Sequence, residues 1–171
     1  MEFEIVTGSV ESLETDCLIV GVAPDGELAP SADLIDTASA GYLKDVVGDH
    51  QGKAGQALLL HKVPGISAAR VLLVGTGKAD ERSDRNQLKI IKSIMSNLKS
   101  IRCKSAVIAL DGLESADKDL YRQLRHNTEW ASAELYQYDA TKSKKADPLS
   151  LESIGFLLSK DDAELGEFSI S

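Results

Sequence analysis

Residues 16–22 read Asp-Cys-Leu-Ile-Val-Gly-Val, and residues 56–63 (QALLLHKV) and 70–74 (RVLLV) are nearly as apolar. Short apolar runs with no polar alternation are what strands look like when both faces of their sheet are covered. A chain with three such runs is constrained to a layered fold in which helices clothe a central sheet. Only about six residues, including Pro64-Gly65, join the second run to the third, too few for a helical crossover. These two strands are therefore expected to be antiparallel if they pair.

The remaining elements fit that frame. Residues 1–6 alternate, with Phe3 and Ile5 on one side and Glu2 and Glu4 on the other, the period of a half-exposed strand. After the Pro24-Asp25-Gly26 turn a helix is expected from near Ser31, carrying Leu34, Ile35, Ala38, Tyr42 and Leu43 and fading by Gly48. Further helices are expected over 83–101 and 117–138, strands over 105–110 and 149–158, and a polar loop over 139–147. Strands and helices interleave, which predicts an α/β fold. The expected form is a three-layer α/β/α domain with a mixed sheet of about six strands. Residues 1–160 are expected to form this domain, and 161–171 to begin a linker toward a further domain.

The bulk numbers narrow the functional classes. A formal charge of −8 opposes general attraction to DNA or anionic lipid. No apolar run approaches the roughly 20 residues that span a bilayer. Two cysteines, Cys17 and Cys103, are too few for a disulfide scaffold and read as reduced thiols. His50, His61 and His126 stand on separate elements without ligand spacing, so no metal site is expected in this chain, and His61 is expected inside a buried strand. There is no Gly-x-Ser-x-Gly elbow and no cysteine with a histidine partner.

Three features remain as candidates. Gly75-Thr76-Gly77-Lys78 after a strand resembles part of a phosphate loop, yet Leu72 and Ala79 stand where the full pattern needs a glycine and a hydroxyl. A tight turn is the plain alternative. On the helix over 83–101, Leu88, Ile91, Ile94, Met95 and Leu98 share one face, while Arg85, Lys89, Lys92 and Lys99 cluster on another. Between 82 and 104 there are seven basic residues and one acid. That stripe could contact DNA phosphates, or it is a solvated face or meets an acidic surface of the same assembly. The single tryptophan, Trp130, lies beside the apolar stripe of Leu120, Leu124, Ala131, Leu135 and Tyr138, near Gln123, His126 and Gln137. It is either an interface anchor or is covered within the domain.

Three stretches together carry a family resemblance. They are Gly52-Lys53-Ala54-Gly55-Gln56 leading into ALLLHKVPG, RVLLVGTGK with Ala79-Asp80-Glu81, and residues 134–139 (ELYQYD) followed by Lys142. With the opening EFEIVTGSVESLETDCLIVGV, their order resembles the N-terminal domain of bacterial leucyl aminopeptidases, the cytosol aminopeptidase or aminopeptidase A family. The resemblance implies a cytosolic, homo-hexameric metallopeptidase. Its C-terminal domain holds two divalent metal ions (zinc or manganese) and releases N-terminal residues from peptides. The family's catalytic signature, Asn-Thr-Asp-Ala-Glu-Gly-Arg, is absent from these 171 residues, so no catalytic or metal-ligating role carries over to any position. What the resemblance implies for this domain is a part in hexamer architecture and in substrate access, with DNA binding known in some bacterial members. It also implies a macro-domain-like fold. The Asn- and Gly-rich loop with which macro domains hold ADP-ribose has no counterpart, because Asn86, Asn97 and Asn127 all fall in expected helices.

Overall fold

A computed structural model describes residues 2–49, 52–77, 84–109, 120–141 and 151–158. Six strands, β1 (Glu2–Val6), β2 (Cys17–Val22), β3 (Ala57–His61), β4 (Arg70–Gly75), β5 (Ser105–Ala109) and β6 (Ser153–Leu157), form one sheet. Its order is β1-β6-β5-β2-β4-β3. Every neighbouring pair is parallel except β3 with β4, which is antiparallel as the short connection requires.

β2 lies inside the sheet, and all six of its residues are buried. Its side chains alternate between two cores. Cys17 and Ile19 join Leu72, Val74, Ile108, Ile154 and Phe156 on the face covered by α3 (Asp84–Ser100) and α4 (Leu120–Thr141). Leu18 and Val20 join Val71, Leu73, Val107 and Ala109 on the face covered by α1 (Pro30–Ala38) and α2 (Tyr42–Val46). The three-layer α/β/α arrangement with a mixed six-stranded sheet follows from these two helical coats. On α3 the expected apolar face is inward, with Ile91, Ile94, Met95 and Leu98 at 0–1% exposure.

Two boundaries and one burial differ from the sequence reading. The helix expected from Ser31 to Gly48 is broken: Ala40 and Gly41 take φ of 58° and 87°, which ends α1 and starts α2. Asp36 holds the break, because its buried carboxylate accepts the Lys44 amide (2.9 Å) and lies 3.6 Å from Lys44 Nζ. α4 continues through Thr141, past the expected loop start at Asp139. His61, expected in a buried strand, is exposed, because β3 is the outermost strand of the sheet. The expected linker at 161–171 lies outside the described residues.

Two polar features sit in the α3/α4 core. Gln87 and Asn127 are 6% and 0% exposed, and Gln87 Nε2 donates to Asn127 Oδ1 at 3.3 Å. Asn127 Nδ2 has no partner among the described residues. A stranded amide costs about 1–3 kcal/mol, whereas replacing both members of such a pair by apolar side chains is close to neutral. Asn127→Leu alone is therefore expected to destabilise the domain by about 1–3 kcal/mol through Gln87, and Gln87→Leu/Asn127→Leu to restore most of that loss. Urea unfolding of the two variants checks the order.

The thiols share this core. Burial pushes Cys17 from 9.0 up to about 12, helped by neighbouring Cys103, and burial likewise raises Cys103. The folded chain thus holds the Cys17 proton more tightly than the unfolded chain does. The resulting stability is fully present below about pH 9 and is lost as pH rises toward 12. Unfolding free energies measured between about pH 8 and about pH 10.5 should fall with pH, and Cys17→Ala should remove part of that slope. An unchanged slope in the variant would refute the assignment.

Candidate functional site

In open α/β sheets ligands are received beyond the carboxyl ends of the parallel strands, where successive connections leave to opposite faces. Here the connection after β2 runs to α1 and the one after β4 to α3, so the corresponding place lies beyond Val22 and Gly75. The segment Gly52-Lys53-Ala54-Gly55-Gln56 occupies it. Gly55 N donates to Gly75 O (3.0 Å), Gly75 N to Gln56 O (2.7 Å), and Gly77 N to Gly52 O (3.0 Å). Thr76 N donates to Val22 O (3.0 Å), and the Thr76 side chain is buried with its hydroxyl 3.4 Å from the same oxygen.

Glycine is what allows this closeness. A side chain on Gly75 would overlap the Lys53 carbonyl oxygen and the Gly52 carbon, and one on Gly52 would overlap the Ala23 carbonyl. The amides of Gly75, Thr76 and Gly77, the group picked out as a ligand turn, all donate to backbone carbonyls of this chain. Lys78 lies outside the described residues.

The basic stripe of α3 divides. Lys92 and Lys99 both approach Glu134 of α4, at 3.9 and 4.0 Å, and the Lys99 and Glu134 side chains are only 19% and 17% exposed. Arg85 and Lys89 are exposed. Half of the stripe therefore faces an acid of the neighbouring helix, a partner that the spacing along α3 alone could not reveal. Trp130 is half-buried, packs on the α3/α4 core, and has its ring 5.3 Å from that of His126. The domain itself covers much of it. No group of three or more His, Cys, Asp or Glu suited to a metal occurs among the described residues.

The profile of the "Cytosol aminopeptidase family, N-terminal domain" matches residues 19–145. The chain belongs to the cytosol aminopeptidase family. It is 41% identical over 148 residues to a "Probable cytosol aminopeptidase" of Haemophilus ducreyi, covering 85% of this chain and 30% of that protein. A second "Probable cytosol aminopeptidase", from Stutzerimonas stutzeri, is 38% identical over 162 residues, covering 94% of this chain and 33% of that one. The chain thus spans about a third of the length of these relatives. Among solved structures, a tomato leucine aminopeptidase mutant superposes with a TM-score of 0.71 at 18% identity, over 99% of this chain and 35% of that one. A Trypanosoma brucei macrodomain in complex with ADP-ribose superposes with a TM-score of 0.77 at 14% identity, over 99% of this chain and 69% of the other. The macro-domain-like architecture is shared with both.

The Gly52–Gln56 segment yields a direct test. Gly75→Ala must displace the Gly52-Lys53 backbone and is expected to cost about 2 kcal/mol or more. Gly48→Ala, with nothing within 4 Å of the added carbon, should stay within about 1 kcal/mol of the parent. Thermal or urea unfolding compares the two.

Proposed function

We propose that this chain is a non-catalytic architectural domain of a cytosolic metallo-aminopeptidase, supporting a homo-hexamer and bordering the route by which peptides reach the catalytic centre. Release of N-terminal residues is assigned to a separate C-terminal domain carrying two divalent metal ions, zinc or manganese. Membership of the family supports the parent activity. The observation that carries the domain's role is the filling of the strand ends by Gly52–Gln56, where a sheet of this kind would otherwise receive a substrate.

Nucleotide binding of the kind named for the trypanosome macrodomain draws less support, since the amides of Gly75–Gly77 are engaged within the chain. A DNA-docking role for α3 would rest mainly on Arg85 and Lys89, because Lys92 and Lys99 approach Glu134. Trp130, with part of its ring uncovered, is the side chain proposed to meet a sister subunit or the catalytic domain.

With added manganese, the 171-residue chain is expected to release no leucine from leucine amide, while a full-length protein containing it does. Hydrolysis by the purified chain that chelators abolish would overturn the proposal.

A further inference from the structure

β3 is an edge strand whose free side is uncovered by any strand among the described residues. Gly75 N donates to Gln56 O (2.7 Å) and Lys62 N to Ala69 O (3.2 Å), which fixes the phase of the ladder. Antiparallel pairs alternate between bonded and non-bonded positions, so Leu58 and Leu60 bond to β4 while the backbone groups of Ala57, Leu59 and His61 point outward. These outward groups form no hydrogen bond among the described residues. Edge strands are usually blunted by charge, proline or a bulge; Ala57-Leu58-Leu59-Leu60 has none of these.

The strand leads into a concavity of about 410 Å³. Buried Val63 and Ala68 and half-buried Ile66 supply its apolar lining; His61, Lys62 and Arg70 supply its polar lining. His61 stands directly opposite Arg70 in the ladder. None of these three side chains forms an ion pair or hydrogen bond among the described residues. Basic groups gathered without a counter-ion among the described residues, in a chain of charge −8, mark a place where a carboxylate is locally favoured.

We propose that β3 accepts, by strand addition, an extended segment of a partner protein whose apolar residues are followed by acidic side chains. The backbone of that segment bonds to Ala57, Leu59 and His61, and its carboxylates enter the concavity to meet His61, Lys62 and Arg70. A partner rather than a second copy is the occupant, because the β3 of a copy ends in His61, followed by Lys62, and would bring basic side chains, not carboxylates, to this edge.

The probe is the capped peptide acetyl-Thr-Val-Thr-Val-Glu-Glu-amide, titrated into the isotopically labelled 171-residue chain and followed by amide NMR shifts. The expected result is saturable shifts centred on Ala57, Leu59 and His61. Affinity should fall about tenfold or more when the two glutamates are replaced by lysine, or in Lys62→Glu/Arg70→Glu. Ala57→Pro removes an outward N–H without breaking a ladder bond, and it should weaken binding while the rest of the spectrum stays folded. Absence of shifts at about millimolar peptide, shifts centred elsewhere, or equal affinity for the lysine peptide would overturn the proposal. So would concentration-dependent self-association through β3, seen by sedimentation.

Discussion

Hydrogen bonding of β2 to β4 on one side and to β5 on the other leaves that strand without a solvent-facing edge, and all six of its residues are buried on both faces of the sheet. Such a strand is stable only inside two apolar coats, so its sequence demands helices on both faces. The rest of the domain is an answer to that demand. Alternation along β2 sorts Cys17 and Ile19 to the α3/α4 core and Leu18 and Val20 to the α1/α2 core. A one-residue slip would exchange the two sets and break both cores together.

What could be read from the residues was whatever depends on local periodicity. The apolar runs at 16–22 and 70–74, the stripe Ile91-Ile94-Met95-Leu98, and the antiparallel turn at Pro64-Gly65 each express a rule that acts over a few neighbours. Sheet order does not follow from such rules, because β1 pairs with β6 across some 150 residues of chain. Nor does the exposure of His61: a run such as QALLLHKV reads as buried, and only its place at the outside of the sheet opens one side. The break between α1 and α2 left a faint mark, a Ser-Ala-Gly step inside an apolar pattern. Asp36 secures it through Lys44, eight residues away.

The candidate sites show the same division more sharply. Gly75 and Gly77 drew attention as possible phosphate donors, since glycine after a strand exposes amides. Glycine serves close backbone approach equally well, and that is the use found here, with Gly52, Lys53, Gly55 and Gln56 at the strand ends. The two uses look identical in sequence, because both require the absence of a side chain. Gly52-Lys53-Ala54-Gly55-Gln56, which carried the family resemblance, is the segment that distinguishes them. Lys92 and Lys99 give a parallel case. Their clustering on α3 was visible, whereas their approach to Glu134 depends on how α4 packs beside it.

Placing backbone at the strand ends has a consequence for where this domain can interact. In a sheet clothed on both faces, the remaining open features are its ends and its edges. The ends of β2 and β4 are closed by carbonyl–amide bonds that a ligand would have to break, each with a polar group left to be satisfied elsewhere. An edge carries no such penalty, because its outward amides and carbonyls already exchange water for any partner that arrives. A domain of this fold with filled strand ends is therefore better suited to holding polypeptide along its rim than to holding a small molecule at its mouth. That physical asymmetry is the argument behind the architectural part proposed for this domain.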